Sequence, residues 1–323
     1  MKNQWENKVH VEGYVFNHSL SNLVAKKTGT PFIMGDINIA TNDDATNIVT
    51  VHFSYVTETY AKSGKPNATH AVLQSLIDGA ATYETAGTDA IKIRVDGDME
   101  INDFYTRDGE LASPKRVRGS FVHVMNKNDE IADRPATFSM DVVLSNYALR
   151  EVENDEDYGE LKGYAFNFRN DALPFTVTVR DKGGMNYFDN ADISSNNPLV
   201  TKIWGDIVSN IIKKEITTES AFGTPQVDIT TRTIRAWDVT GTSVEPMEWD
   251  DESTITKAEL KKALADREVM LAEEEKRHEE YLASRGAKNG GNAFSTPFDG
   301  GKVTSTSPKA KVVVEEDDED FAF

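Results

Sequence analysis

The sequence predicts a mainly β protein with two successive five-stranded barrels, then a long helix and an acidic tail. Apolar and polar residues alternate with the period of a strand over most of the first 250 positions. A helical segment follows the third strand of each set, and the composition turns polar and glycine-rich after the long helix. We therefore expect domains at residues 1–130 and 135–250, a helix at 254–285, a flexible linker at 286–312 and a disordered tail at 313–323.

The first barrel is predicted from six segments in order. Its first strand places Val9, Val11 and Val15 on one face, and its third strand places Phe53 and Tyr55 in one phase. A short helix that stops at a glycine separates strands three and four. The segments are strands at 9–16, 31–40 and 48–56, a helix at 69–79, and strands at 90–105 and 115–125.

The same order of elements is predicted a second time. Strands are expected at 136–152, 158–169 and 173–180, a helix at 198–211, and strands at 213–219 and 226–239. Three strands, a helix and two strands are the order of the OB-fold, a five-stranded Greek-key barrel.

A change to helical periodicity at Ile255 marks the long helix. Thr256 and Glu259 have the spacing of a capping box, and Ile255 and Leu260 that of a hydrophobic staple. The helix is rich in Glu, Lys and Ala, with a thin apolar stripe. We expect it to lie on the second domain or to pair with another chain.

Composition excludes several classes of function. The chain has no cysteine, which rules out disulfides and thiolate catalysis and favours a reducing compartment. We expect a cytoplasmic protein, in the bacterial host if phage-encoded, and no membrane partner, since no run approaches the ~18 apolar residues of a membrane span. No phosphate loop, G-x-S-x-G or H-E-x-x-H motif is present, so we expect neither an enzyme nor a cofactor.

Two groups of possible metal ligands have simpler interpretations. His10 and His52 lie on polar strand faces without a third ligand, which favours a surface position. Asp96, Asp98 and Glu100 alternate along one strand and would share a solvated face. We therefore predict no metal site.

The net charge of −19 is unevenly distributed. Residues 1–126 carry −3, whereas Glu315–Phe323 alone carry −6. A positive groove on the first domain is therefore compatible with an acidic chain.

The first domain has aromatic and basic residues where an OB-fold binds single strands. Flat rings on such a face can stack bases for about 1–3 kcal/mol each, and cations beside them attract phosphates. The alternative is that these rings fill the barrel core. The candidate binding residues are Tyr14, Phe16 and Phe32 for stacking, with Lys26, Lys27, Lys115, Arg116 and Arg118 as the cations.

The second domain is a weaker candidate for binding nucleic acid. Its first loop, at residues 150–160, is strongly acidic and would repel phosphate, which favours a structural role. Lys162, Tyr164, Phe168 and Arg169 are its remaining candidates.

Barrels, linker and tail together resemble the single-stranded DNA-binding proteins of bacteria and bacteriophages. Those of bacteria end in Asp-Asp-Asp-Ile-Pro-Phe, and here Glu315–Phe323 reads EEDDEDFAF, with Ala322 in the place of the proline. The resemblance implies that the tail docks replication, recombination or repair proteins, and that its acidic run competes with DNA for the groove. The residues implied are Asp317, Asp318, Glu319, Asp320, Phe321 and Phe323.

Tandem barrels and a long helix depart from the single barrel of that family and favour a phage or mobile-element protein. The leading hypothesis is a non-enzymatic protein that coats single-stranded DNA and recruits partners; a homo-oligomer is compatible with it. The alternative is an acidic interaction or inhibitor module that imitates nucleic acid and binds a protein. A metal-dependent nuclease using Asp96 to Asp103 is the third hypothesis.

Overall fold

The structure is a computed structural model, which describes residues 5–106, 109–152, 156–218, 226–249 and 254–286. The side chains of residues 210–234 and 284–286 are also outside the description. The chain divides into the compact unit Met1–Lys276, which contains both barrels, and the unit Arg277–Phe323. The predicted linker after Gly286 and the acidic tail lie outside the described residues.

The first barrel closes in the order β1-β3-β4-β8-β5. All neighbouring strands are antiparallel except β4 and β8, which are parallel, and β5 returns to pair with β1. This is the OB-fold topology, with a helix after the third barrel strand. The elements are β1 (Asn7–His18), β2 (Ser21–Val24), β3 (Pro31–Ala40), β4 (Ile48–Val56), α1 (Ala68–Ile77), α2 (Tyr83–Ala86), β5 (Lys92–Ile101), β6 (Phe104–Tyr105), β7 (Leu111–Ala112) and β8 (Lys115–Val124).

Local sequence explains the core of this barrel. Val9, Val11 and Val15 point inward on β1, as their alternation predicts. Helix α1 begins at a capping Asn67, whose side chain accepts a hydrogen bond from the Thr69 amide at 3.1 Å. Leu73 then lies fully buried in the barrel core.

The second barrel repeats the topology. Its closed order is β9-β10-β11-β13-β12, again with one parallel pair, between β11 and β13. The predicted fold class is therefore confirmed: the protein is mainly β, with two OB-type barrels and a long helix. The elements are β9 (Ala136–Arg150), β10 (Tyr158–Phe166), β11 (Ala172–Val179), α3 (Lys182–Asn190), β12 (Leu199–Thr218) and β13 (Gln226–Thr242).

The helix predicted at residues 198–211 is wrong. This segment is part of β12, and the helix between the third and fourth barrel strands is α3. Val200, Ile203 and Ile207 have a spacing that also suits a helix, but Ile203 and Ile207 point inward from a strand. Branching at Cβ favours the extended conformation, which decides between the two patterns.

The barrels share one sheet. Strand β1 pairs antiparallel with β9, from Asn7 opposite Met140 to Val11 opposite Ala136. One continuous apolar core contains residues of both barrels, such as Ile33 and Phe175. The pairing and the shared core hold the barrels as one body, so a surface that crosses from one to the other keeps its geometry.

Helix α4 (Lys257–Gly286) begins with the predicted capping box. The Thr256 hydroxyl accepts from the Glu259 amide at 3.1 Å, and the Glu259 carboxylate accepts from the Thr256 amide at 3.0 Å. Ile255 and Ala263 pack with Phe166 of the second barrel. No helix of the described residues is both long and apolar enough to cross a membrane.

Arg267 of helix α4 reaches the first barrel. Its guanidinium donates two hydrogen bonds to the Asp103 carboxylate, at 2.7 and 3.1 Å, and both side chains are almost buried. The helix therefore connects the second barrel to the loop between β5 and β8.

Candidate nucleic-acid interface

Three adjoining depressions form a groove on the outside of the barrels. The first, of about 330 Å³, is lined by Tyr55, Tyr60, Arg118 and Phe121. It shares Phe121 with the second, of about 590 Å³, which lies over β1, β5 and β9. The second shares Asp98 with the third, of about 290 Å³, which ends at Phe168 of the second barrel. We call this continuous surface the barrel groove.

Exposed aromatic rings line the barrel groove. Tyr55, Phe121 and Phe168 are 50%, 54% and 56% exposed. Phe32 packs against Tyr55 with ring centroids 4.6 Å apart. A planar base can stack on the solvent-exposed part of an aromatic ring.

Irregular strand geometry turns two of these rings outward. Tyr55 adopts a positive φ of 51° where the β3–β4 register shifts, so it leaves the inward phase of Phe53. On β8, Gly119 and Val122 both face inward, although two residues lie between them. The register of β5 and β8 shifts at this point, between Asp96 and Gly97 of β5. Ser120 and Phe121, the two residues in between, therefore both lie outside the barrel. The prediction that Tyr55 shares the inward phase of its strand is wrong for this reason.

Tyr14 and Phe16 lie away from the groove. Tyr14 is only 8% exposed, packs against Ala40, and donates a hydrogen bond to Asp43 at 3.1 Å. Phe16 stacks on Tyr83 with centroids 5.8 Å apart. The expectation that Tyr14 presents a free stacking face is therefore wrong, because contacts within the barrel cover its ring.

Exposed lysines lie in two loops whose neighbouring residues, Phe32 and Tyr60, belong to the Tyr55 end of the groove. Lys26 and Lys27 are exposed at the tip of the β2–β3 hairpin, which Ala25 and Thr30 close by a backbone hydrogen bond of 2.9 Å. Lys62 and Lys65 are exposed in the loop that carries Tyr60. Within the described residues, none of these four lysines forms an ion pair, so their charge is available to a ligand.

The cations of β8 have partners inside the protein. Arg118 makes a two-bond pair with Asp98, with its Nε donating to Oδ1 at 2.7 Å and its Nη2 to the other oxygen. Arg116 donates to Glu100 at 2.7 Å. The hydrogen bond that Arg118 donates to Asp98 raises the pKa of Arg118, so the guanidinium stays charged.

Lys115 faces the second barrel instead of the groove. Its ammonium donates to the backbone oxygen of Thr176 and lies 5.8 Å above the centre of the Trp237 ring. Burial lowers the pKa of Lys115 to about 8. The expectation that Lys115 is a groove cation is therefore wrong, because the tandem packing covers it.

The second barrel contributes an aromatic ring and a cation to the groove. Phe168 lies in the turn between β10 and β11, and the guanidinium carbon of Arg118 is 5.7 Å from its ring centre. Arg169 lies 5.1 Å from the same ring. Arg118 therefore bridges the aromatic end of the first barrel and Phe168 of the second.

The histidines and carboxylates that could be metal ligands pair with neighbours. The His10 ring is 2.8 Å from Asp96, and the His52 ring is 2.7 Å from Asp36. Asp103 is held by Arg267. In the part of the chain that the structure describes, no cluster of three or more His, Asp or Glu residues is arranged to hold a metal ion.

Comparison with known proteins identifies the family. Residues 6–277 match the family model described as YorF. The chain belongs to the YorF family. No curated protein matches it.

Among solved structures, this YorF-family chain is similar to a deletion mutant of the single-stranded DNA-binding protein from Thermus aquaticus. The TM-score is 0.45 and the identity 12%, over 77% of this chain and 99% of that one. The OB-type fold of this chain is defined by the order of its strands and the closure of its two barrels.

The sequence alone missed three groove rings. Tyr55 was expected in the phase of Phe53, and neither Tyr60 nor Phe121 was among the candidate binding residues. The signal for Phe121 is the two-residue interval between inward-facing Gly119 and Val122, which breaks strict alternation. Among the candidate residues, Arg118 lines the groove and Phe32 packs against Tyr55, while Lys26 and Lys27 are exposed on the β2–β3 hairpin.

Proposed function

We propose that this YorF-family chain binds single-stranded DNA in the barrel groove and stacks bases on Tyr55, Phe121 and Phe168. The observation that carries the proposal is a continuous groove that spans both barrels and presents exposed rings beside Arg118. Bases of a duplex are stacked on each other, so such rings favour a single strand. We extend the proposal to DNA replication, recombination or repair, in a phage or mobile element.

Affinity in this groove comes from two sources. Stacking on one ring contributes about 1–3 kcal/mol and depends little on base sequence. The exposed loop lysines attract the phosphate backbone and make binding salt-dependent. The net charge of −19 opposes binding elsewhere on the surface, which confines the strand to the groove.

The acidic tail has a proposed role in the same function. Glu315 to Asp320 would compete with DNA for the cations of the groove, and Phe321 and Phe323 would anchor a replication or recombination protein. This part of the proposal rests on the sequence of the tail.

The test is the binding of a labelled mixed-sequence oligonucleotide, measured by fluorescence anisotropy from low to physiological salt. We expect binding to a single strand that weakens with salt, weaker binding to the matching duplex, and tighter binding by a chain ending at Lys311. Phe121→Ala with Phe168→Ala should weaken binding by about 1–3 kcal/mol per ring. Tyr187→Ala, which removes a partly exposed ring of α3 outside the groove, is the matched control.

No change in anisotropy at low salt, even for the shortened chain, would rule out the proposal.

The acidic interaction module remains the second candidate, favoured by the pairing of Arg116 and Arg118 with internal carboxylates. In that case the chain should retain a nucleic-acid enzyme from nuclease-treated lysate. That binding should be lost when helix α4 is cut but kept when the tail is removed.

A further inference from the structure

The barrel groove contains an arginine, Arg118, that is already neutralised, and a second neutralised arginine, Arg116, lies two residues away on the same strand. The register of β5 and β8 places Asp98 directly opposite Arg118 and Glu100 directly opposite Arg116. Each opposed pair forms an ion pair with a hydrogen bond of 2.7 Å. The two ion pairs therefore add no net charge to this part of the surface.

The Arg118 pair is geometrically the stronger of the two. Asp98 accepts from both Nε and Nη2, which uses one edge of the guanidinium fork. The side chains are 27% and 18% exposed, so water screens the pair less than it would on an open surface. The guanidinium also rests near the Phe168 ring, which fixes its orientation.

A phosphate would have to displace Asp98 to use the same edge of Arg118. That exchange leaves a partly buried carboxylate next to a phosphate, and like charges at this distance repel. The exposed loop lysines have no such competitor among the described residues. The groove thus combines loop lysines (Lys26, Lys27, Lys62 and Lys65), which favour phosphates, with the Arg118–Asp98 pair, which favours neutral groups.

We propose that Asp98 is a specificity-determining residue, which keeps Arg118 from phosphate so that bases lie at the Arg118–Asp98 pair and the backbone lies at the loop lysines. This inference rests on the proposed binding of single-stranded DNA. It predicts that Arg118 contributes to affinity through contact with bases and the Phe168 ring. Arg118 therefore contributes little to the dependence of affinity on salt.

The test measures oligonucleotide affinity against salt for Asp98→Asn. Arg118 then keeps only the longer contact of its Nε with Glu100, at 3.8 Å, and should gain one phosphate contact, which steepens the slope of log affinity against log salt by about 0.7. With affinity unchanged at 1 M salt, that slope gives about 8-fold tighter binding at 50 mM. Asp206→Asn is the matched control, because it removes the same charge from an ion pair with Arg134 outside the groove.

Two further variants complete the test. Arg118→Gln should weaken binding with little change in slope, whereas Lys26→Gln with Lys27→Gln should reduce the slope by about 1.4. Asp98→Glu, which keeps the charge, should retain the wild-type slope. Thermal unfolding of each variant checks that it is folded.

Specific outcomes would overturn the inference. If Asp98→Asn has the slope of the Asp206→Asn control, Asp98 does not keep Arg118 from phosphate. If Arg118→Gln alone lowers the slope by about 0.7, Arg118 already contacts phosphate in the wild type. The second result decides the question even if Asp98→Asn fails to fold. If the wild-type chain does not bind the oligonucleotide at all, the proposed function itself fails, so the two failures are distinguishable.

Discussion

Lys115 provides a prediction about stability that follows from the packing of the two barrels. Its ammonium lies between β8 and the second barrel, where it donates to Thr176 and faces the Trp237 ring. Desolvation lowers its pKa from 10.5 to about 8, although Asp238 and Glu160 partly oppose that change. The perturbation is Lys115→Met, which keeps the length of the side chain and removes the charge.

The sign follows from proton linkage. Between pH 8 and 10.5 the unfolded chain keeps the proton on Lys115 and the folded chain releases it, so the free energy of unfolding rises with pH. Below pH 8 Lys115 is charged in both the folded and the unfolded chain, so the whole cost of burying the charged amine lowers the free energy of unfolding. The difference between the two pKa values corresponds to at most about 3 kcal/mol, and residual solvent screening reduces it.

The assay is urea unfolding of the wild type and of Lys115→Met at several values from pH 7 to 10.5. We expect the variant to be at least as stable as the wild type at pH 7, with its relative advantage shrinking as the pH rises. Lys62→Met, at an exposed loop lysine, should keep the wild-type pH profile. If the wild type and Lys115→Met change in parallel over the whole window, the reasoning about desolvation is refuted.

Three further predictions concern packing and binding. Arg267→Met removes the nearly buried guanidinium and should lower the free energy of unfolding by about 2–3 kcal/mol, because the Asp103 carboxylate is left without its partner. Adding Asp103→Asn should recover part of that loss, and a double-mutant cycle by urea unfolding measures the coupling. Gly119→Ala places a Cβ 2.3 Å from the Phe53 ring and should cost about 1–3 kcal/mol in the same assay, so wild-type stability would contradict the observed packing. Phe121→Ala should leave the melting temperature nearly unchanged while weakening oligonucleotide binding, and equal loss of both would point to a structural role.

Much of the fold was predictable because it depends on local pattern. The alternation of Val9, Val11 and Val15 identified a barrel strand, and Thr256 with Glu259 marked the start of helix α4. Helix α3 was missed because its two glycines disfavour a helix in isolation.

The candidate site was only partly predictable. Lys26 and Lys27 lie at a hairpin tip, where local turn chemistry exposes them wherever the barrel packs. The burial of Tyr14 and Lys115 depends on partners that are distant in sequence, Asp43 and Thr176 among them. The periodicity of a strand does not show that an aromatic ring on its polar face is covered by other residues. It also does not show that a lysine of the strand faces another barrel.

The sequence by itself determined the strands of the first barrel and the start of helix α4, because side-chain periodicity follows from the geometry of each element's own backbone. It also determined the net charge and the absence of cysteine. Tertiary structure alone decided that β1 and β9 join the barrels, that a register shift turns Phe121 outward, and that Asp98 neutralises Arg118. These outcomes depend on pairing between distant segments, and the charge available in the groove depends on which side chains that pairing brings together.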